Sequence, residues 1–253
     1  MAPGGAYTSA FGSAWVETAG IHLIATSSSG ATVGPVLTYS SGYAAGSFAD
    51  DFVLLSSQAP AGSVVGLTVL FHLSGGISTA SGATAAEGLG AGGVASWSGR
   101  FSLSGNDDAA RWEGNGSESR GLGDATGGGN ATPGDYLLTL NVRIGERLYL
   151  EMSGRIDAGS GSQILAGASG SAWGSAQAQF GNTFAWGGIV SVMDANQQAL
   201  TDFSAISAAT GFDYRQAYVS SVPEPQAATL WVLGLLAIAA AMRRRRKGAV
   251  SSA

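Results

Sequence analysis

Between Ala6 and Tyr218 the apolar positions recur every second residue far more often than every third or fourth. The segment VASWSGRFSLS is the clearest example, because small or apolar residues alternate with polar ones throughout it. Its non-polar face is Ala95, Trp97, Gly99, Phe101 and Leu103. Successive side chains of a β-strand point to opposite faces of the sheet, so this period is typical of strands with one buried face.

Several other segments show the same alternation. In VVGLTVLFHLSG the apolar face is Leu67, Val69, Phe71 and Leu73, and in DYLLTLNVRIG it is Tyr136, Leu138, Leu140, Val142 and Ile144. Further strand candidates are Ser47–Leu55, Leu148–Ser153, Ala172–Phe180 and Phe184–Met193, the last followed by a turn in MDANQQ. About eight to ten strands, with no helical pattern before residue 226, predict an all-β fold: an antiparallel β-sandwich or jelly-roll-like ectodomain.

Composition adds glycine-rich connections to this picture. The chain has 253 residues, of which 40 are Gly, but 45% are apolar, so the composition favours a folded domain over disorder. Two stretches, Gly75–Gly93 and Gly105–Gly134, are predicted as loops, the second as a disordered insertion or a binding loop. The GLGAGG sequence at Gly88–Gly93 lacks the flanking strand and helix of a dinucleotide site, so we expect a flexible loop there.

The C-terminus is organised differently. Ala227–Met242 contains neither a charged residue nor Pro, and as a helix it would span about 24 Å. Five cations follow at once: Arg243, Arg244, Arg245, Arg246 and Lys247. This order predicts a transmembrane helix whose basic end stays in the cytoplasm, with the body on the other side. The alternative, a buried core helix with a basic end, is disfavoured by five consecutive cations.

Charge and cysteine content exclude several classes of function. From Met1 to Val222 sixteen acidic residues face seven arginines, a net charge of −9, whereas the remainder carries +4. An acidic body does not attract nucleic acid, so we expect no nucleic-acid partner. The chain has no Cys, which excludes disulfides, thiol nucleophiles and thiolate metal sites.

The tail carries a family resemblance. The VPEP sequence (Val222, Pro223, Glu224, Pro225), the apolar LGLLAIAAA and the basic RRRRK together resemble the PEP-CTERM sorting signal of Gram-negative bacteria. That resemblance implies that Pro223, Glu224 and Pro225 are recognised by exosortase, a membrane-embedded protease. It also implies that residues 227–242 anchor the precursor and that residues 243–247 act as a stop. The segment Gln179–Tyr214 shows a weaker similarity to the end of PEP-CTERM ectodomains.

The resemblance also sets expectations for organisation and location. Residues 1–218 would form the ectodomain and residues 219–253 the sorting tail. The precursor would be a single-pass inner-membrane protein with a cytoplasmic C-terminus, later found in the cell envelope or outside the cell. Family members begin with a secretory signal peptide, which the first thirty residues do not resemble, so we expect further sequence upstream. Expected partners are exosortase, the lipid bilayer and exopolysaccharide.

Residues that could carry catalysis are few. His22 and His72 are the only histidines, fifty residues apart, so a serine nucleophile has no evident base. His72 lies opposite the apolar face of its segment and is expected at the sheet surface. Asp50 and Asp51 are adjacent in a strand candidate and therefore diverge, so they are expected to be solvated. We predict no catalytic residues, no metal site and no cofactor.

The acidic residues of the chain suggest one candidate metal ion, calcium. Asp107, Asp108, Asp124 and Asp135 frame the second glycine-rich stretch, and carboxylates on loops suit Ca²⁺, but their spacing matches no known calcium loop.

Three functions remain. The first is a non-enzymatic envelope or extracellular-matrix protein, sorted through its tail and associated with exopolysaccharide or biofilm. The second is a carbohydrate-binding β-sandwich in which exposed Trp97, Trp112 or Trp173 stacks on sugars. The third, an envelope hydrolase, is disfavoured because no catalytic constellation is evident.

Overall fold

The computed structural model describes residues 5–32, 34–84, 87–122 and 125–219, with side chains everywhere in these ranges except at 181–183. This part of the chain forms twelve β-strands and contains no helix. In chain order they are β1 Gly5–Glu17, β2 Gly20–Thr32, β3 Val36–Ser56, β4 Val64–Leu73, β5 Gly76–Ala83, β6 Leu89–Ser104, β7 Ala109–Arg120, β8 Ala125–Gly129, β9 Gly134–Arg143, β10 Arg147–Ile164, β11 Ser171–Met193 and β12 Phe203–Ile206.

The strands form two six-stranded antiparallel sheets. Sheet A has the order β1-β2-β11-β4-β9, with β5 also paired to β11, and sheet B has the order β12-β3-β10-β6-β7-β8. Strands β2 and β11 of sheet A contact β3, β10 and β6 of sheet B, so the sheets pack face to face. The predicted all-β antiparallel architecture is confirmed, and its two layers are sandwich-like.

The alternating apolar positions form the core between the sheets. Ala95, Trp97, Phe101 and Leu103 of β6 are buried, as are Leu67, Val69, Phe71 and Leu73 of β4. Aromatic rings continue across this core: the rings of Phe71 and Phe101 stack at 4.5 Å, and the rings of Phe101 and Trp186 lie 6.1 Å apart. The period of two therefore identified the buried face of these strands correctly.

The predicted glycine-rich loops are wrong. The stretch Gly75–Gly93 contains β5 and the start of β6, and Gly105–Gly134 contains β7 and β8. GLGAGG is not a flexible loop either, because Leu89–Gly93 pairs with β10. A Cβ atom at Gly93 would lie 2.1 Å from the carbonyl oxygen of Ser175 in sheet A. Glycine is therefore present here because two backbones approach closely, not because the chain must bend.

Two details of the strand prediction also change. The described residues hold more strands than the eight to ten predicted, and the candidates Ala172–Phe180 and Phe184–Met193 are parts of one strand, β11. The pairing of β11 with β2 shifts register between Phe180 and Phe184, which interrupts the alternation in the sequence. The turn predicted in MDANQQ is confirmed, since the backbone N–H of Asp194 donates to the carbonyl of Gln198 at 2.9 Å.

The chain divides into two units, Met1–Tyr218 and Val219–Ala253. Among the described residues, no helix has the length and apolar character needed to cross a membrane. The predicted anchor 227–242, the motif Val222–Pro225 and the basic stop Arg243–Lys247 all lie outside those residues.

Candidate functional site

Four glycines lie opposite one another across sheet B and form the floor of a groove. Gly46 of β3 faces Gly154 of β10, which faces Gly99 of β6, which in turn faces Gly114 of β7. On the inner side, a Cβ atom at Gly99 would lie 1.7 Å from the ring of Phe184, and one at Gly154 would lie 2.8 Å from it. The ring of Phe184 thus packs directly against the backbone of sheet B.

The outer surface above these glycines is a cavity of about 620 Å³, called here the sheet B groove. Residues on either side of each glycine point outward, because side chains alternate along a strand. The side chains lining the groove are Ala45, Ser47, Ser98, Arg100, Glu113, Asn115, Asn130, Ser153 and Arg155. Nearly all of them carry a hydroxyl, amide or charged group, so the groove suits a ligand with many hydroxyls or carboxylates.

Arg100 is the least satisfied cation of this groove. Its closest carboxylate is that of Glu151, with 3.8 Å between the nitrogen and the oxygen. Its Nε atom is shielded from solvent and has no hydrogen-bond partner among the described residues. A guanidinium with spare donors can accept a carboxylate or a sugar hydroxyl.

Arg155 lies on the same face in a fixed position. Its guanidinium donates to both oxygens of Asp157, at 2.9 and 3.0 Å, and lies 4.8 Å from the centre of the Tyr43 ring. The hydrogen bonds to Asp157, followed by its negative charge, raise the pKa of Arg155 above its ordinary value. The cation and the ring of Tyr43 together form one wall beside the groove.

A second cavity, of about 360 Å³, lies on strands β3, β10, β6 and β7 of the same sheet. Tyr39 forms one side of it and is 69% exposed, while Arg120 and Ser119 lie among its other lining residues. Tyr39 and Tyr43 are four residues apart on β3, so both project from the outer face of sheet B. This face therefore combines exposed aromatic rings with hydrogen-bonding groups, the combination that binds sugars.

The opposite face of the molecule carries a different aromatic row. Tyr7, Gly30, Trp173 and Gly82 lie opposite one another on β1, β2, β11 and β5. The ring of Tyr7 covers Gly30, and the ring of Trp173 covers Gly82. Trp173 is 43% exposed, as expected of a sugar-stacking residue.

The two other tryptophans proposed to bind sugars are in the wrong place. Trp97 is only 6% exposed, and Trp112 packs against the core, with its ring 5.1 Å from Phe71 and 4.8 Å from Tyr136. Trp97 belongs to the apolar face of β6, which turns inward. The prediction of exposure is wrong for Trp97, which lies on the apolar face that the alternation identified, and Trp112 is only partly exposed because its ring packs against the core.

The two histidines lie in different surroundings. His72 lies at the sheet surface, as predicted, with its Nδ1 atom 2.5 Å from the carboxylate of Asp135. His22 is buried, with its ring stacked on Trp15 at 4.8 Å and its Nε2 atom 3.3 Å from the Tyr218 hydroxyl.

The aspartates that suggested hydrolysis or calcium binding have other partners. Asp50 is not simply solvated, since hydroxyls of Ser207, Thr210 and Tyr214 all donate to it. Asp107 pairs with Arg143 and Asp108 accepts from the backbone of Asn141, so they point to different neighbours. Asp124 lies outside the described residues. Among those that are described, no three His, Asp or Glu side chains are placed to hold a metal ion.

Comparison with protein-family models, with curated proteins and with solved structures finds no match to this chain.

Sequence reasoning missed the sheet B groove. Its glycines are separated by long stretches of sequence, and only strand pairing brings Gly46, Gly99 and Gly154 into one row. The one local signal was the polar face of VASWSGRFSLS, which contains Ser98 and Arg100. A polar face of this kind is common in strands with one side in water, so it did not identify a site.

Proposed function

We propose that this chain is an exported envelope or extracellular-matrix protein whose C-terminal tail is sorted, and cleaved near Pro-Glu-Pro, by exosortase. The observation that carries the proposal is the order of three features in the tail: the VPEP sequence, an uncharged apolar stretch and five cations. The resemblance covers residues 220–247, and its three parts have the proposed roles of recognition, membrane anchoring and retention. In this proposal the precursor spans the inner membrane once, and the body reaches the envelope or the exterior.

The prolines matter because they fix the backbone of the motif. Each Pro holds φ near −65° and biases the preceding residue towards an extended conformation. A protease can bind such a stiff, extended strip at a low entropic cost. Among the described residues, Tyr218 is the last one whose side chain packs against the core of the body, and four residues separate it from Pro223 in the sequence.

The test is an immunoblot of fractionated cells in a host that carries exosortase. Pro223→Ala combined with Pro225→Ala should leave the full-length precursor in the inner membrane, because the backbone gains freedom and the apolar helix can extend backward. The matched control is Pro60→Ala combined with Pro133→Ala, two exposed prolines in turns of the body. If the tail variant is shortened and leaves the membrane as fast as the parent and the control, the sorting proposal fails.

A second candidate function is carbohydrate binding, favoured by the sheet B groove. In the groove, Arg100 offers a guanidinium whose nearest carboxylate oxygen is 3.8 Å away, and the other lining residues offer hydroxyls and amides. Tyr39 and Tyr43 offer exposed rings beside the groove, on the same face of sheet B. A polymer of neutral and acidic sugars matches this chemistry. The outer surface of sheet A, with Trp173 and Tyr7, is the competing location for the same activity.

Affinity electrophoresis in gels containing neutral or acidic polysaccharide distinguishes these locations. Arg100→Ala should reduce retardation by the polysaccharide if the sheet B groove binds it, and Tyr39→Ala should reduce it if the polymer also occupies the second cavity. Arg147→Ala is the control, since Arg147 is an exposed arginine of β10 that does not line the groove. Loss of retardation with Trp173→Ala alone would place binding on sheet A, and no retardation of the parent chain by any polysaccharide would reject this second function.

A further inference from the structure

Strand β1 is a long edge strand without the usual protection. It pairs with β2 over all thirteen residues without a register shift, and no strand in the described part of the chain pairs with its other side. Natural edge strands are generally protected by charges, Pro, bulges or short length. β1 contains no Pro, and its one charged residue is Glu17 at its end. Tyr7 and Phe11 are exposed along it.

The backbone of β1 alternates between its neighbour and the free edge. The amide of Gly5 donates to the Thr32 hydroxyl at 3.0 Å, and the same hydroxyl donates to the carbonyl of Gly5 at 2.9 Å, so Gly5 faces β2. In an antiparallel ladder alternate residues direct both backbone groups to the same side. The odd-numbered residues of β1 therefore face β2. The even-numbered residues, from Ala6 to Val16, present their N–H and C=O groups at the free edge.

We propose that β1 pairs antiparallel with β1 of a second copy of this chain, with Phe11 of each copy facing the other across a two-fold axis. Phe11 is the middle residue of β1, so this register pairs the whole strand. It places even-numbered residues opposite even-numbered ones, which satisfies the free backbone groups with about twelve hydrogen bonds. It also places Tyr7 opposite Trp15, so the aromatic side chains on the outer face form cross-strand pairs.

The second sheet has a free edge on the same side of the molecule. β12 covers only Val53–Ser56 of β3, and no described strand pairs with that side of β3 from Val36 to Ala49. Like most of β1, this stretch has no charged residue. Gly42 lies near its middle, and a Cβ atom there would be 2.3 Å from the carbonyl oxygen of Phe11. The same Cβ atom would be 2.5 Å from the carbonyl oxygen of Thr26, so Gly42 lies over the space between β1 and β2, next to the free edge of sheet A.

The register favours a second copy over an unrelated partner strand. A two-fold dimer must be self-complementary about one axis, which here lies midway between the two Phe11 residues and perpendicular to sheet A. Each pair that this register forms therefore occurs twice, once on either side of the axis. The one charged residue of β1, Glu17, lies opposite Gly5 of the other copy, so two copies approach without a like-charge pair.

The test uses paired single cysteines in the full chain, which has no Cys of its own. Ser9 and Ser13 face each other in the proposed register as a pair without mutual hydrogen bonds, about 4.5 Å apart at Cα, a distance that a disulfide can bridge. Chains carrying Ser9→Cys and Ser13→Cys, mixed in detergent and oxidised, should give a disulfide-linked heterodimer. Either variant alone should remain monomeric on a denaturing gel, since the single cysteines of two paired copies of the same variant would be about 14 Å apart.

Two further substitutions, each made in both cysteine chains, test the edge itself. Phe11→Lys places two positive charges on the axis and should lower the heterodimer yield at least tenfold. Leu137→Lys, at an exposed position of the edge strand β9, should leave the yield unchanged. Ala10→Pro removes an edge-facing N–H without breaking the β2 ladder and should also lower the yield.

Circular dichroism shows whether each variant is folded. A folded mixture that forms no heterodimer overturns the proposal. So does Ser9→Cys alone, if it cross-links to a second copy of itself as efficiently as it does to Ser13→Cys. Heterodimer formation that is insensitive to Phe11→Lys also overturns it.

Discussion

The hydroxyl of Tyr214 donates a hydrogen bond of 2.6 Å to Oδ2 of Asp50, which lies 164 residues earlier in the chain. The hydroxyls of Ser207 and Thr210 donate to the same carboxylate at 2.9 Å each. The ring of Tyr214 is fully buried and stacks on Phe52 with 4.5 Å between centroids. One aspartate thus holds the segment after β12 against β3.

These contacts shift the pKa values of both Asp50 and Tyr214. Burial opposes ionisation of Asp50, but hydrogen bonds from Tyr214, the amide of Asp51, Ser207 and Thr210 outweigh it and hold the pKa of Asp50 below its ordinary value of 3.8. Burial, followed by the hydrogen bond to Asp50, raises the pKa of Tyr214 well above its ordinary value of 10.0. The ionised carboxylate and the protonated phenol are therefore the stable pair at neutral pH.

Asp50→Ala should destabilise the body by about 3 kcal/mol, because the buried hydroxyls of Tyr214 and Ser207 lose their acceptor. For a domain of this size the Tm should fall by about 6–12 °C in a thermal melt followed by circular dichroism. Asp51→Ala is the control: Asp51 pairs with the exposed Arg147 at 3.3 Å, so its removal should cost less than about 1 kcal/mol. Equal Tm values for the two variants would show that the Asp50 cluster does not stabilise the fold.

The contribution of Asp50 should also depend on pH. Its pKa is lower in the folded state, so this stabilisation is fully present above about pH 4 and is lost as the pH falls through the folded value. The difference in unfolding free energy between the parent chain and Asp50→Asn, measured in urea, should therefore shrink on acidification below about pH 4. A difference that stays constant from pH 7 to pH 2 would contradict this prediction.

Gly99→Ala should destabilise the body by about 1–3 kcal/mol, because the added methyl overlaps the Phe184 ring and the close-packed core cannot expand freely. Combining it with Phe184→Leu should recover part of the loss, giving a positive coupling in a double-mutant cycle from urea unfolding. Gly76→Ala is the matched control, since a Cβ atom at Gly76 meets nothing within 4 Å. Additive effects of the first two substitutions would mean that Phe184 does not pack under Gly99.

A chain ending at Tyr218 should be soluble, give a β-type circular dichroism spectrum and unfold cooperatively. Tyr218 is part of the fold, because its amide donates to the carbonyl of Trp186 at 2.8 Å and its hydroxyl donates to Glu17. A chain ending at Phe212 loses both Tyr218 and the buried Tyr214, so its melting transition should be lower by more than 10 °C or absent. A helical spectrum for the first chain, or equal transitions for both, would contradict this prediction.

In the proposed topology, replacing Arg243, Arg244, Arg245 and Arg246 by Ser should weaken the retention of the tail, because four of the five cations that would oppose translocation are lost. A C-terminal topology reporter should then show partial export, or the protein should be released uncut. The control replaces Arg111 and Arg147, two exposed arginines of the body, by Ser. A reporter that remains cytoplasmic with unchanged processing would reject the stop function.

How far the sequence predicted the fold varied with the element. For β4, β6 and β9 the alternation identified both the strand and its buried face, since burial of one face imposes a period of two. For β5, β7 and β8 it failed. β5 and β8 consist largely of Gly, Ala, Ser and Thr, as does half of β7, and small residues show little contrast between a buried and an exposed face. Their pairing is held by backbone hydrogen bonds, which leave no pattern in the sequence.

By itself, the sequence determined the all-β class, the core faces of the strongly alternating strands, the acidic body and the tripartite tail, because each depends on residues close together in the chain. Only the tertiary structure decided which aromatic side chains are exposed, that Asp50 meets Tyr214, and that Gly46, Gly154, Gly99 and Gly114 form one row. It also placed the carbonyl group of Phe11, on the free edge strand of sheet A, against Gly42 of sheet B. The physical reason is strand register: it pairs residues far apart in sequence, and a shift of one position would turn every side chain to the opposite face.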